Sequence, residues 1–264
     1  MPKERVRGEC GLCAAKKPLQ KSHLLPSAIY RTFLAADQTD PIYVKGGQYW
    51  RTSKQVRTHF LCSECEERFN TRGERRVIRE ILTRGGSFPL LNKVKSLGNS
   101  LGQVRHGLAY PSGALGPLTP ALTYFAASVF WRATATEWPG YGRLGLPTFA
   151  QNRLRTFLLG LSSFPSQMVL NVSVADTLDP MYIQACLPRY GDKQGSCWTS
   201  SFLIPGIRFD LFVSLFLSYS HKDVKAVDEL KASLKVMERN GLIQPWYDRE
   251  LVAGQLWERK SFSN

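Results

Sequence analysis

The sequence lacks any apolar run long enough to cross a bilayer. Its most apolar stretch, Phe209 to Leu217, is about half of what a span requires. The opening MPKERVRGEC carries charge with no apolar segment behind it, so no secretory signal is expected. There is no internal repeat and no glycine-rich phosphate loop. Histidine is scarce, with four residues at 23, 59, 106 and 221, too scattered to argue a Ser/His/Asp arrangement. His59 and His106 read as incidental. Acidic residues are also short: 21 Asp and Glu against 35 Lys and Arg leave a formal net charge of +14. A chain this basic usually meets a polyanion, so nucleic acid is the first partner expected. With 43% hydrophobic residues, 264 residues can bury a real core, which excludes wholesale disorder. The expectation is a cytoplasmic protein with no membrane partner.

The charge is uneven. Residues 1–79 hold sixteen basic side chains against eight acidic ones, whereas 216–264 hold eight against seven. A polyanion-facing surface therefore belongs to the front of the chain.

Four of the six cysteines form two pairs, Cys10-x2-Cys13 and Cys62-x2-Cys65. Each C-x2-C turn aims two thiolates at one centre, and two such turns complete a tetrahedral zinc shell. In a reducing compartment that reading outweighs the alternatives, two disulfides or four free thiols. The insertion between the pairs must carry a sub-structure of its own. Cys186 and Cys197 lie in apolar surroundings and read as buried core thiols.

That insertion contains Ser22-His23-Leu24-Leu25-Pro26, and the second pair stands in Leu61-Cys62-Ser63-Glu64-Cys65-Glu66-Glu67-Arg68-Phe69. With Cys10-Gly11-Leu12-Cys13, these segments resemble the zinc-bound HNH-like proteins, a treble-clef variant of the ββα-metal nuclease fold. Tyr124 to Arg132 and Arg153 to Gly160 are similar to segments further along in the same group, so the resemblance covers about residues 1–210. It implies a strand histidine, here His23, as general base on a water attacking a phosphodiester. It also implies an asparagine that orients the loop and a helix histidine that binds a catalytic divalent ion. Neither of these carries over. No Asn stands between Gln55 and Cys62, and Glu66 follows Cys65 where histidine is frequent. Glu66, Asn70 and Glu74 are the residues left to hold Mg²⁺ or Mn²⁺. The alternative is a structural His23 beside a purely structural zinc.

A helix is expected over Glu66 to Thr83, with Val77, Ile78, Ile81 and Leu82 on its apolar side. Arg68, Arg72, Arg75, Arg76 and Arg79 would form its basic face, suited to phosphate contacts. A solvated helix with pairs such as Glu67–Arg75 is the plainer alternative. Residues 84–120 read as a glycine-rich connector with short elements. Helices are expected at 119–136, an apolar helix carrying Tyr124, Phe125, Val129, Phe130 and Trp131 with its aromatic stripe read as core, and at 148–160. Strands are expected at Met168–Val174 and Tyr182–Leu187, with a hairpin of Trp198–Ile204 and Ile207–Phe216 about Pro205-Gly206.

From Leu215 the character changes. Phe216-Leu217-Ser218-Tyr219-Ser220-His221-Lys222-Asp223 reads as a buried strand, and Val224, Val227, Leu230, Leu234 and Met237 mark one helical face. With Trp246-Tyr247-Asp248 and Gly254 to Trp257, this segment resembles the opening of a bacterial TIR domain. Trp246, Asp248, Gly254 and Trp257 then correspond to its BB loop, and Ala253 replaces a usual proline. The resemblance implies association with other TIR chains. The catalytic half of such domains has no counterpart here, so NAD⁺ hydrolysis is not expected.

The architecture expected is α+β: a zinc-bound treble-clef/HNH-like front over 1–83, a mixed helical and β continuation over 84–214, and a partial α/β, flavodoxin-like tail over 215–264. Two functions compete. One is a TIR-containing signalling or antiviral-defence interaction protein whose zinc front binds nucleic acid. The other is an active metal-dependent HNH-type endonuclease.

Overall fold

A computed structural model describes residues 6–33, 42–45, 48–52, 54–98, 100–104, 107–176, 183–190 and 197–214. The fold is α+β. A three-stranded antiparallel sheet, ordered β1-β2-β5, is built from Arg7–Glu9, Lys16–His23 and Arg57–Cys62. The insertion between the cysteine pairs also holds α1 (Ser27–Thr32) and a hairpin of β3 (Ile42–Lys45) and β4 (Gln48–Arg51). After β5 come α2 (Ser63–Phe69), a π-helical segment Asn70–Glu74 and a last turn, α3 (Arg75–Val77). The connector contains α4 (Pro89–Lys95) and a small hairpin, β6 (Gly102–Val104) with β7 (Gly107–Ala109). Phe88, Leu90 and Leu91 of this connector enter the same buried cluster as the rest of the chain.

Two helices follow, α5 (Leu118–Ala135) and α6 (Thr148–Leu159), the latter ended by Gly160 in the left-handed conformation. The second sheet is antiparallel, ordered β8-β11-β10-β9, from Met168–Val174 (β8), Cys186–Tyr190 (β9), Cys197–Ile204 (β10) and Ile207–Ser214 (β11). In β11, Ile207, Phe209, Leu211 and Val213 are buried while Arg208 and Phe212 are exposed, the alternation a one-sided sheet requires. The two-residue turn between β10 and β11 has Gly206 at φ 78°, a conformation closed to most side chains. β9 departs from expectation, starting at Cys186 rather than near Tyr182. Cys186 is half-buried, not a core thiol, and the Cys197 side chain lies outside the described residues.

α5 is the hub. It is apolar nearly all round, which suits a helix buried on every side. Toward the second sheet, Phe125 and Phe130 meet Phe202 at ring distances of 6.0 and 5.0 Å, and Phe125 meets Phe209 at 5.6 Å. Toward the front, Trp131 stacks on Phe60 at 5.4 Å and meets Phe69 edge-on at 6.1 Å. Among the described residues no helix is long and apolar enough to cross a membrane.

The helix expected over Glu66 to Thr83 is the main correction. It starts at Ser63, loosens into the π segment and stops at Val77. Within the π segment the Arg75 N–H reaches back five residues to the Asn70 carbonyl. Gly73 is the reason this chain comes so near α5. A Cβ there would stand 2.9 Å from the Phe125 nitrogen and 3.0 Å from its Cα. Gly73→Ala should therefore destabilise the fold by about 1–3 kcal/mol through overpacking. Denaturant unfolding checks it, and a midpoint equal to wild type would refute this account of the turn.

Candidate metal centre and adjoining cleft

The Cys10–Cys13 turn joins β1 to β2, while Cys62 ends β5 and Cys65 lies in the first turn of α2. Their four sulfurs lie within 4.8 Å of one another, the one such group of three or more potential ligands among the described residues. The Cys13 and Cys62 sulfurs are 3.8 Å apart, well beyond a disulfide bond. A tetrahedron with metal–sulfur bonds of about 2.3 Å has edges of roughly 3.8 Å. The Cys62 N–H donates to Cys10 Sγ at 3.3 Å, and the Ala14 N–H closes the first turn on the Cys10 carbonyl at 2.8 Å. From α6, Arg155 Nε donates to the Leu12 carbonyl at 2.7 Å and ties the turn to the helical core.

The thiols conflict when left to themselves. A hydrogen bond from Cys65 holds Cys10 down to about 4, and the same bond pushes Cys65 up. Burial pushes Cys62 up to about 11. A cation amid the sulfurs relieves that conflict by stabilising all four as thiolates. The donor set and its spacing fit a metal ion such as zinc.

Beside this centre lies a cleft of ≈ 610 Å³ whose lining includes His23, Glu66, Asn70 and Glu74. Residues singled out separately along the sequence thus share one concavity. His23 sits at the end of β2, its ring 6.4 Å from that of Tyr30. Burial holds its imidazole below the usual value, and the Arg57 and Arg132 cations add to the depression. A hydrogen bond with Gln55 and the Glu74 charge act the other way. A neutral imidazole is the form able to accept a proton.

Glu74 has another partner. Arg132 of α5, 1% exposed, pairs with the Glu74 carboxylate and donates to the His23 carbonyl at 2.8 Å and to Ser128 Oγ at 3.1 Å. Its guanidinium lies over the Phe69 ring, 5.0 Å from the centroid. Asn70 Nδ2 donates to Glu67 at 3.2 Å. Glu66 is different: its Oε1 is buried without a hydrogen-bond partner among the described residues, and burial raises its carboxyl. Of the three carbonyl-bearing candidates for a second cation, Glu66 is the one with a fully buried oxygen lacking a partner among the described residues, while Arg132 and Ser22 favour its charged form. The three do not form a ready-made ligand cluster with His23.

The five arginines do not share one face. Arg68 donates to the Leu159 carbonyl at 2.9 Å, and Arg72 stands over the Tyr124 ring at 5.8 Å, so both turn toward α5 and α6. Arg75 and Arg79 line the cleft instead, Arg75 pairing with Glu67 at 3.3 Å. Arg76 is exposed. The π segment explains the split, since one extra residue in a turn rotates everything after it by ~100°. Trp246, Asp248, Gly254 and Trp257 lie outside the described residues, as do His106 and His221, whereas His59 is exposed on β5.

Comparison with known proteins adds little. No family model and no solved structure matches the chain. A curated relative, the uncharacterized protein y4lF of Sinorhizobium fredii (strain NBRC 101917 / NGR234), is 43% identical over 42 residues. That segment is 16% of this chain and spans 13% of the relative's length, too little to show a family.

Sequence reasoning missed Gln55 and Arg132. Gln55 faces His23 because the Leu24 N–H bonds the Val56 carbonyl at 3.0 Å, bringing 55–57 alongside the end of β2. Its hydrogen bond favours the imidazolium, so Gln55→Leu should lower the His23 pKa and Gln55→Glu should raise it. Titration of the His23 ring by NMR reads that order directly. The same midpoint in all three proteins would show that Gln55 does not act on His23.

Proposed function

We propose that the front of the chain is a zinc-stabilised nucleic-acid-binding module whose cleft hydrolyses phosphodiesters. The observation that carries this reading is the placement of a neutral-leaning His23 in a cleft that also holds Glu66 and exposed arginines. The zinc, held by Cys10, Cys13, Cys62 and Cys65, is structural: it fixes β2, which bears His23, against α2, which bears Glu66. In cleavage, His23 takes a proton from the attacking water while arginines hold the phosphate oxygens. A divalent ion such as Mg²⁺ or Mn²⁺, with Glu66 as one ligand, would supply charge stabilisation at the phosphate when bound. Nicking of supercoiled plasmid with Mg²⁺ or Mn²⁺, abolished by EDTA, is the expected result. A protein that binds DNA but never nicks it leaves the binding module alone.

For residues 215–264 the order of TIR-like motifs supports association with other TIR chains in a signalling or defence assembly. Removing 215–264 should then abolish self-association, as read by light scattering, and leave DNA binding unchanged. Unaltered self-association would remove this reading.

A further inference from the structure

Arg31, in the last turn of α1, has no part in the zinc centre or in the basic helix, yet it lines the cleft of His23. It is exposed, and among the described residues no carboxylate pairs with it. The same holds for Arg79 on the separate chain segment beyond α3. Most other arginines nearby are engaged. Arg132 is paired with Glu74, Arg75 with Glu67, and Arg68 with the Leu159 carbonyl. Two unpaired guanidinium groups from different elements in one cleft make a site for an anion with several oxygens.

The platform beneath Arg31 is fixed. Ile29 is fully buried, and Arg84 donates to the Thr32 carbonyl at 2.8 Å and to the Phe33 carbonyl, holding the end of α1. Arg31 therefore projects from an anchored helix into the space that His23 borders.

We propose that Arg31 and Arg79 together seat one backbone phosphodiester of a nucleic acid in this cleft. The site reads phosphate and not base, so binding is blind to sequence. This rests on the nucleic-acid reading above and sharpens it by assigning which cations carry the contact. Arg68 and Arg72, turned toward α5 and α6, carry none of it.

The test is the salt dependence of binding to a labelled DNA duplex by the full chain without added divalent ion. The double variant Arg31→Gln/Arg79→Gln should reduce the slope of log affinity against log salt by about 0.9, the release expected for one phosphate, and each single variant by part of that. Arg68→Gln and Arg72→Gln should leave it unchanged. A wild-type slope in Arg31→Gln and Arg79→Gln, or an equal loss in Arg68→Gln and Arg72→Gln, overturns the assignment while the nucleic-acid reading stands. Absence of wild-type binding at low salt overturns both. Competition by inorganic phosphate at the concentration of the DNA phosphates, as strong as by DNA itself, would make the site a free-phosphate site and overturn the diester assignment.

Discussion

Cys10→Ser is expected to cost the front of the chain its metal and its fold together. Cys10 is fully buried, and its sulfur accepts from the Cys62 N–H, so the change removes a ligand and weakens the turn that presents the next one. Structural zinc bound by four thiolates contributes apparent free energies of about 10–16 kcal/mol at neutral pH. A domain's whole net stability is about 5–15 kcal/mol, so the loss cannot be absorbed by packing elsewhere. The damage should also spread, because Arg155 on α6 bonds the Leu12 carbonyl and Phe60 stacks on Trp131 of α5. Elemental analysis of the wild type should give one zinc per chain. Circular dichroism of Cys10→Ser, or of wild type after strong chelation, should show loss of cooperative unfolding. A cooperatively folded protein with no metal would refute the metal centre.

The cysteines were legible because their information is local. Two residues between thiols mark a metal-binding turn, and that spacing can be read from four consecutive residues. The Pro205-Gly206 hairpin, β8 and the two long helices were legible for the same reason: periodicity and turn chemistry act over a few residues. The π segment was not. Val77, Ile81 and Leu82 are buried as a helix continuing to Thr83 would have them, yet the backbone departs from that helix to bring Gly73 against Phe125. A close approach between segments some fifty positions apart leaves no periodic trace. The misreading of the arginines follows directly, since Arg68, Arg72, Arg75 and Arg79 share a face only on an uninterrupted α-helix.

Arg132 was hidden differently. It lies within an apolar helix, where a lone cation looks like a residue reaching for solvent. Instead it is buried, answering the Glu74 carboxylate and a carbonyl at the end of β2. Breaking one side of such a pair leaves the other charged and dry, the costly outcome for buried ions. The pairing also engages one Glu74 oxygen with a buried cation, whereas Glu66 keeps a buried oxygen without a partner among the described residues. Charge partners on distant elements are set by the fold, which spacing alone cannot reveal.

His23→Ala is the change expected to matter most for chemistry. A positioned general base contributes typically about 10²–10⁴ in rate, so nicking should fall by that factor. Zinc content should hold, since His23 lies outside the four-sulfur cluster. DNA affinity should hold as well, because the phosphate contacts proposed above belong to the arginines. The pH profile gives a second reading. Burial depresses the His23 pKa, so the base form is already present at neutral pH, and the rate should fall only as pH drops through the depressed value. That acid limb should move up in Gln55→Glu, down in Gln55→Leu, and vanish with the activity in His23→Ala. His23→Asn, which keeps a polar side chain of similar reach, separates loss of the base from loss of shape. If His23→Asn nicks as fast as wild type while zinc and DNA binding are intact, the base is another group. The half-buried ring is then one more part of the scaffold around Arg132 and Glu74.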